Sequence, residues 1–151
     1  MKNNILFIRT VRQEDIIDIH KLIIQEFSVF LPRFTPTGLL WSIQWLNETK
    51  NNWIICRDKT DLIAVAHHDI DPLGYTFDTL VVSSSWKRKG VGGLLISHIE
   101  KKAICAGRDV VAIVIRRSIK ENQKFVESNG YRIFREFSKE HDVYYKELWN
   151  E

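Results

Sequence analysis

A mixed α/β fold, one sheet with helices on its faces, is what this sequence predicts, and three observations predict it. Apolar residues recur at helical intervals over residues 16–30. From Trp53 the pattern changes to short runs of branched and aromatic residues. The run Val110-Val111-Ala112-Ile113-Val114-Ile115 has no polar alternation, the mark of a strand covered on both faces. The order of elements reads β-α-α-β-β-β-α-β-α-β-β, and no repeat, linker or low-complexity tract divides residues 1–151, so one domain is expected.

Residues 5–11 form the first strand. Thr10 and Gln13 have capping-box spacing, with Arg12 an equal starting point, and Ile16, Ile19, Ile23, Phe27 and Phe30 give one long helix an apolar face. Pro32 and Pro36 end it. Thr37 caps a second helix carrying Leu39, Leu40, Ile43 and Leu46. Residues 53–57 and 62–70 are strands of a hairpin, joined by the turn-forming Asp58-Lys59-Thr60-Asp61. Asp71-Pro72-Leu73-Gly74 turns the chain into a strand at 75–82. A third helix then buries Val91, Leu94, Leu95, His98 and Ile99, with Gly107 as its stop. After residues 110–115, a short helix at 119–129 ends on Gly130, and strands at 131–137 and 143–148 close the sheet.

Composition narrows the function classes. With 44% hydrophobic and 27% charged residues, a disordered chain is excluded. The longest apolar run, at 110–115, is far below the ~20 residues of a membrane helix. Twenty-two basic against 19 acidic residues leave only +3, a weak signal for nucleic acid, and none is expected as partner. Cys56 and Cys105 form no Cys-x-x-Cys pair and no metal spacing, so no metal is expected. Two buried free thiols in a reducing cytoplasm is the reading. The stretch Ile5-Leu6-Phe7-Ile8 before Arg9 is too short for a signal-peptide apolar region, which agrees with a cytoplasmic location.

Chemistry concentrates between a strand and a helix. There Lys87-Arg88-Lys89 precede Gly90-Val91-Gly92-Gly93. A helix start presents unpaired N–H groups and about half a positive charge, glycines let an anion reach them, and three bases add full charges. The segment lacks the order of a nucleoside-triphosphate loop and the Gly-x-Gly-x-x-Gly dinucleotide pattern. Glycines at a helix start also serve close helix–sheet packing, and the adjacent bases favour the anion over that alternative.

The run Leu80-Val81-Val82-Ser83-Ser84-Ser85-Trp86-Lys87-Arg88-Lys89-Gly90-Val91-Gly92-Gly93-Leu94-Leu95 resembles the strand-loop-helix signature of the GCN5-related N-acetyltransferases (GNAT). Gly90 and Gly92 match its Gln/Arg-x-x-Gly-x-Gly/Ala pattern, and Lys87 stands where Gln or Arg is usual. Ile8-Arg9 with Glu14-Asp15, and Asn122 to Gly130-Tyr131, extend the likeness to both flanks. The resemblance implies the GNAT acyl-coenzyme A N-acyltransferase fold and acetyl-coenzyme A (acetyl-CoA) as donor. It implies the donor diphosphate on the backbone of Arg88, Lys89, Gly90, Val91, Gly92 and Gly93, the pantetheine arm along Leu80, Val81 and Val82, and Asn122 near the thiol end. Arg116, Arg117, Lys120 and Lys124 are candidates for the adenosine 3′-phosphate, with plain solvated surface as the alternative.

For catalysis, the resemblance points to the Val82 amide as donor to the carbonyl oxygen. Asp78, four residues before Val82 and on the Leu80 face by two-residue counting, is the candidate base. An exposed structural aspartate is its plain alternative. His67 and His68 face opposite ways, so one is placed to titrate in a cleft, structural histidines being the other reading. The family's usual acid, a tyrosine four positions before the Gly-Tyr pair, is here Val126, which donates no proton; Ser118, Tyr144 and Tyr145 are substitutes. Phe27, Phe30, Phe34, Trp41 and Trp45 read as core packing or as the wall of an acceptor pocket. The expected acceptor is a primary amine of a small molecule or peptide. A non-catalytic acyl-CoA sensor is the alternative, and pairing of the final strands leaves a homodimer open.

Overall fold

The computed structural model describes residues 5–148. Its strands are β1 (Phe7–Thr10), β2 (Trp53–Arg57), β3 (Leu62–Asp71), β4 (Gly74–Val82), β5 (Val110–Arg116), β6 (Arg132–Glu136) and β7 (His141–Glu147). Its α-helices are α1 (Ile16–Phe27), α2 (Ile43–Glu48), α3 (Val91–Cys105) and α4 (Lys120–Ser128). The strands form one mixed sheet in the order β1-β2-β3-β4-β5-β7-β6, so the chain adopts the α/β class and the element order its sequence predicts. Contacts gather the described residues into two compact units. One runs to His67 and includes Thr79–Leu95; the other takes His68–Asp78 and the residues from Ile96 on.

In the first unit β2 is the centre of an antiparallel trio. It pairs with β1 from Phe7↔Arg57 to Thr10↔Ile54 and with β3 from Trp53↔His67 to Arg57↔Leu62. α1 lays Ile16, Ile19, Leu22 and Ile23 into one cluster with Trp53, Ile55, Val65 and Val81. Each such side chain contributes about 1.5–3 kcal/mol on burial, so this cluster is the main stabilising contact of the unit. α1 ends at Phe27, earlier than the periodicity predicts. Ser28–Phe30 is a 3-10 turn, and Phe30 leaves the helix face to stack on Phe34, ring centroids 5.1 Å apart. The second helix also starts late: Thr37–Leu40 is a 3-10 turn, and Ser42, not Thr37, caps α2 by accepting the Trp45 N–H at 3.0 Å. Cys56 is fully buried, and burial together with the Asp58 charge pushes its thiol up to about 11. Cys105 is exposed at the end of α3, so only one of the two thiols is buried as expected.

In the second unit β5 pairs with β7 from Val110↔Glu147 to Arg116↔His141, and with β4 in parallel through Tyr75↔Val111 and Thr76↔Ala112. Val111, Ala112, Ile113 and Ile115 are buried, as a run without alternation requires. β6 is the edge strand, exposed along its length, and a register shift between Ile133 and Arg135 bulges it, a device that blunts an open edge. Among the described residues, no helix is long and apolar enough to cross a membrane.

The entry into α1 rests on a buried charge. Asp15 accepts from Arg9 Nη1 and Nη2 at 2.7 and 3.0 Å, from Arg57 Nε at 3.0 Å and from the Arg12 N–H at 2.8 Å. Thus Asp15, rather than the Thr10–Gln13 pair, organises this helix start. Burial alone would raise its carboxyl. The hydrogen bonds from Arg9 and the Arg12 N–H, with the charges of Arg9 and Arg57, outweigh that and hold it below the usual carboxylate value. Asp15→Asn, which leaves two arginines facing a neutral amide, is expected to lower the unfolding free energy by roughly 3–5 kcal/mol in urea titrations. Because the folded value is depressed, the Asp15 contribution is full above the unfolded pKa of ~3.9. It is lost as pH falls from there through the folded value, and the wild-type-minus-variant difference should shrink over that window.

Candidate functional site

β4 ends at Val82, and the chain must turn before α3 begins at Val91. The Ser83 N–H donates to the Ile63 carbonyl at 2.8 Å, which ties the exit of β4 to β3. Ser84–Trp86 is a 3-10 turn, held by the Trp86 N–H on the Ser83 carbonyl at 2.8 Å. Two residues then take left-handed backbone, Arg88 at φ +62° and Gly90 at φ +85°, with Lys89 between them. A Cβ at Gly90 would meet nothing within 4 Å, so the space beside it is open. The Leu94 N–H makes the first helical bond, to the Gly90 carbonyl at 3.2 Å. The N–H groups of Val91, Gly92 and Gly93 therefore have no intrahelical acceptor.

Alternation of left- and right-handed backbone turns successive N–H groups into an anion-binding concavity, and the helix dipole adds about half a positive charge. Lys87, Arg88, Lys89 and Gly90 are exposed around it, while Val91 and Gly92 are buried. Lys89 Nζ lies 5.3 Å over the Trp86 ring, which keeps that charge beside the turn. The arrangement suits a phosphate or diphosphate: backbone donors in front, cations at the rim, no carboxylate in the turn itself.

Sequence reading missed three residues here. Glu26 of α1 is 6% exposed, and its carboxylate accepts from Ser84 Oγ at 2.5 and 2.8 Å with Lys87 Nζ 3.9 Å away. Its position three after Ile23 on the apolar face was the available signal. Ser84 looked like one of three equivalent serines. Thr79 has φ +46°, an outlier for a β-branched residue, and nothing in the sequence marks it.

Thr79 also corrects the counting behind Asp78. Two-residue alternation is broken there, so the Leu80 face no longer tells where the preceding carboxylate points. Asp78 is exposed; Val81 is buried, and Leu80 and Val82 are half-buried. His67 packs against Trp53 and Trp45 in the first unit, ring centroids 4.9 and 6.0 Å away. His68 is buried in the second, its Nδ1 3.0 Å from Tyr75 Oη. Trp41 and Trp45 stack at 4.9 Å and pack with Phe27 against the α1 core, so these aromatics serve the core. Asn122 is exposed on α4, and Val126 is 1% exposed beneath the same helix. Arg116 pairs with Glu140 at 2.9 Å and Arg117 with Asp142 at 2.7 Å, which commits both guanidiniums to the β7 side, while Lys120 and Lys124 are exposed. Of the substitute acids, Ser118 is exposed, Tyr145 lies under Arg132, and Tyr144 is buried. Burial, then the charges of Glu127 and Asp142, raise the Tyr144 phenol.

The sequence profile of the acetyltransferase (GNAT) family matches residues 16–131. No curated protein sequence matches the chain. Solved structures share the fold at low identity. The PaiA N-acetyltransferase of Thermoplasma acidophilum, in complex with coenzyme A, superposes with a TM-score of 0.85 at 14% identity, over 95% of this chain and 99% of that one. The N-acetylglutamate synthase of Neisseria gonorrhoeae, with coenzyme A and N-acetyl-glutamate, gives 0.77 at 18%, over 99% of this chain and 36% of that one. The ribosomal-protein-S18-alanine N-acetyltransferase of Escherichia coli gives 0.71 at 12%, over 97% and 96%.

The left-handed glycine is directly testable. Gly90→Ala places a Cβ in open space, so any loss comes from the backbone alone. The expected loss is about 1–2 kcal/mol in urea unfolding. Gly90→Asn, which tolerates the same conformation, should lose less. Equal stabilities for all three proteins would contradict the turn geometry.

Proposed function

Because the chain belongs to the acetyltransferase (GNAT) family, we propose that it transfers the acetyl group of acetyl-CoA to a primary amine of a small molecule or peptide. The observation that carries this reading is the turn at residues 87–93. Its N–H groups without intrahelical acceptors, open space at Gly90 and three exposed cations fit the diphosphate of the donor. Coenzyme A in the Thermoplasma and Neisseria relatives supports the donor class. Their differing names, with that of the Escherichia coli enzyme, show that the fold itself does not select the acceptor.

Each residue has a task in the proposed reaction. The amine nitrogen attacks the thioester carbon, the C–S bond breaks, and the sulfur leaves as thiolate, which takes up the proton the nitrogen releases in becoming an amide. A lysine-like amine, with pKa about 10.4, must first lose its proton, and Asp78 is the base that takes it. The Val82 N–H donates to the carbonyl oxygen as negative charge develops there. Leu80, Val81 and Val82 receive the pantetheine arm as an added strand, and Asn122 serves its thiol end. Val126 supplies no proton, and a thiol of pKa about 8.5 leaves without strong assistance near neutral pH.

Val126 also favours one other reading, a sensor that binds acyl-CoA without turnover: the place of the family's usual acid is given to core packing, at 1% exposure. Two measurements test the readings, and the second separates them. Calorimetry should detect coenzyme A binding under both, and silence at ligand levels well above micromolar overturns both. Thiol release from acetyl-CoA across a panel of amines should be seen only for the enzyme. There, Asp78→Asn should cut the rate by about 10²–10⁴-fold while coenzyme A binds as before. Undiminished turnover in that variant removes Asp78 from the mechanism.

A further inference from the structure

Glu26 is a carboxylate almost wholly withdrawn from water, and burying an ionised group is costly unless partners compensate. Among the described residues its partners are Ser84 Oγ and Lys87 Nζ. Both belong to the turn that opens the phosphate cradle, and they stand at either end of its first loop: the Lys87 N–H lies 3.5 Å from the Ser84 carbonyl. Ser84, Ser85 and Lys87 are exposed, and Trp86 is the only apolar side chain of that turn, half-buried. The Glu26 link to α1 is the polar side-chain contact that fixes where Ser84 and Lys87 stand before Arg88 reverses the chain.

We propose that Glu26 is a positioning residue for the donor. It anchors Ser84 and Lys87 to α1, and so sets the placement of the N–H groups and of the Lys87 charge that meet the diphosphate. This rests on the acyl-CoA reading above but assigns a role to a residue outside the family signature. Two consequences distinguish it from a merely structural carboxylate. The Ser84 hydroxyl and the Glu26 carboxylate act as one link, so losing either should equal losing both. A neutral acceptor at position 26 keeps the Ser84 bond and gives up only the ion pair with Lys87, which is half in water and weak.

The test is the Kd of coenzyme A itself, by calorimetry, on the full chain as wild type, Ser84→Ala, Glu26→Gln, Glu26→Ala and the double Glu26→Ala/Ser84→Ala. Melting temperatures are recorded alongside. Ser84→Ala and Glu26→Ala are each expected to weaken binding about tenfold, the range of a hydrogen bond to a charged group. The double variant should stay near tenfold rather than approach a hundredfold, and Glu26→Gln should remain within about threefold of wild type. Ser84 is exposed, so its variant folds even where Glu26→Ala does not, and it decides the matter alone. Wild-type affinity in Ser84→Ala overturns the proposal, as does a multiplicative loss in the double variant. A fall in melting temperature with unchanged Kd also overturns it, reducing Glu26 to a stabilising residue. If the wild type binds no coenzyme A, the acyl-CoA reading fails first and this one with it.

Discussion

The carboxylate of Asp15 fastens the first turn of α1 to β1 through Arg9 and to β2 through Arg57, and everything on α1 inherits its position from that clamp. An α-helix rises about 1.5 Å per residue, so Glu26 stands roughly 16 Å along the axis from Asp15. Between them Ile16, Ile19, Leu22 and Ile23 fix the rotation of the helix by burial against the sheet. Position and rotation together decide that the Glu26 carboxylate arrives at Ser84. The route from the strands to the turn at residues 84–87 is thus one rigid element with a charge at each end.

The two ends differ in how fully they are satisfied. Asp15 accepts from two guanidiniums and a backbone N–H, a saturated arrangement that resists change. Glu26 has one hydroxyl donor shared between its oxygens and one ammonium at 3.9 Å, beyond hydrogen-bond reach. A saturated carboxylate suits a fixed joint. On the proposed reading, a sparsely satisfied one suits a contact whose partner, Lys87, also has an anion to meet. A carboxylate therefore stands saturated at one end of the helix and sparsely satisfied at the other.

Much of this was legible in the sequence, for identifiable reasons. The run at residues 110–115, the hairpin at 53–70 and the glycines after Lys89 carry local signals strong enough to survive tertiary context. Helix boundaries were less legible where two structures compete: the 3-10 turns at Ser28–Phe30 and Thr37–Leu40 use the same apolar residues as the predicted helices. The turn proposed as an anion cradle was legible as a local feature because its donors are backbone and its cations adjacent. Glu26 was not, since its hydroxyl partner Ser84 lies 58 positions away in sequence. Thr79 was not, since no propensity places a β-branched residue in left-handed backbone. Asp78 was legible as a carboxylate in a strand but not as a direction, because that direction depends on Thr79.

Thr79 and Arg88 bracket the exit of β4, both non-glycine residues in left-handed backbone. Such conformations cost of order 1–3 kcal/mol each and persist only where surrounding contacts over-determine them. Around them Val81 is buried in the α1 core, the Ser83 N–H is bonded to Ile63, and Glu26 holds Ser84. These contacts carry the backbone cost in the free protein. A ligand that meets the turn then finds its N–H groups already directed and its cations already gathered, and loses little affinity to ordering them. A flexible glycine loop of equal charge would bind the same diphosphate more weakly, because binding itself would have to impose the shape. On the proposed reading, the strained, anchored turn is what makes a short run of lysines and glycines a site rather than a basic patch.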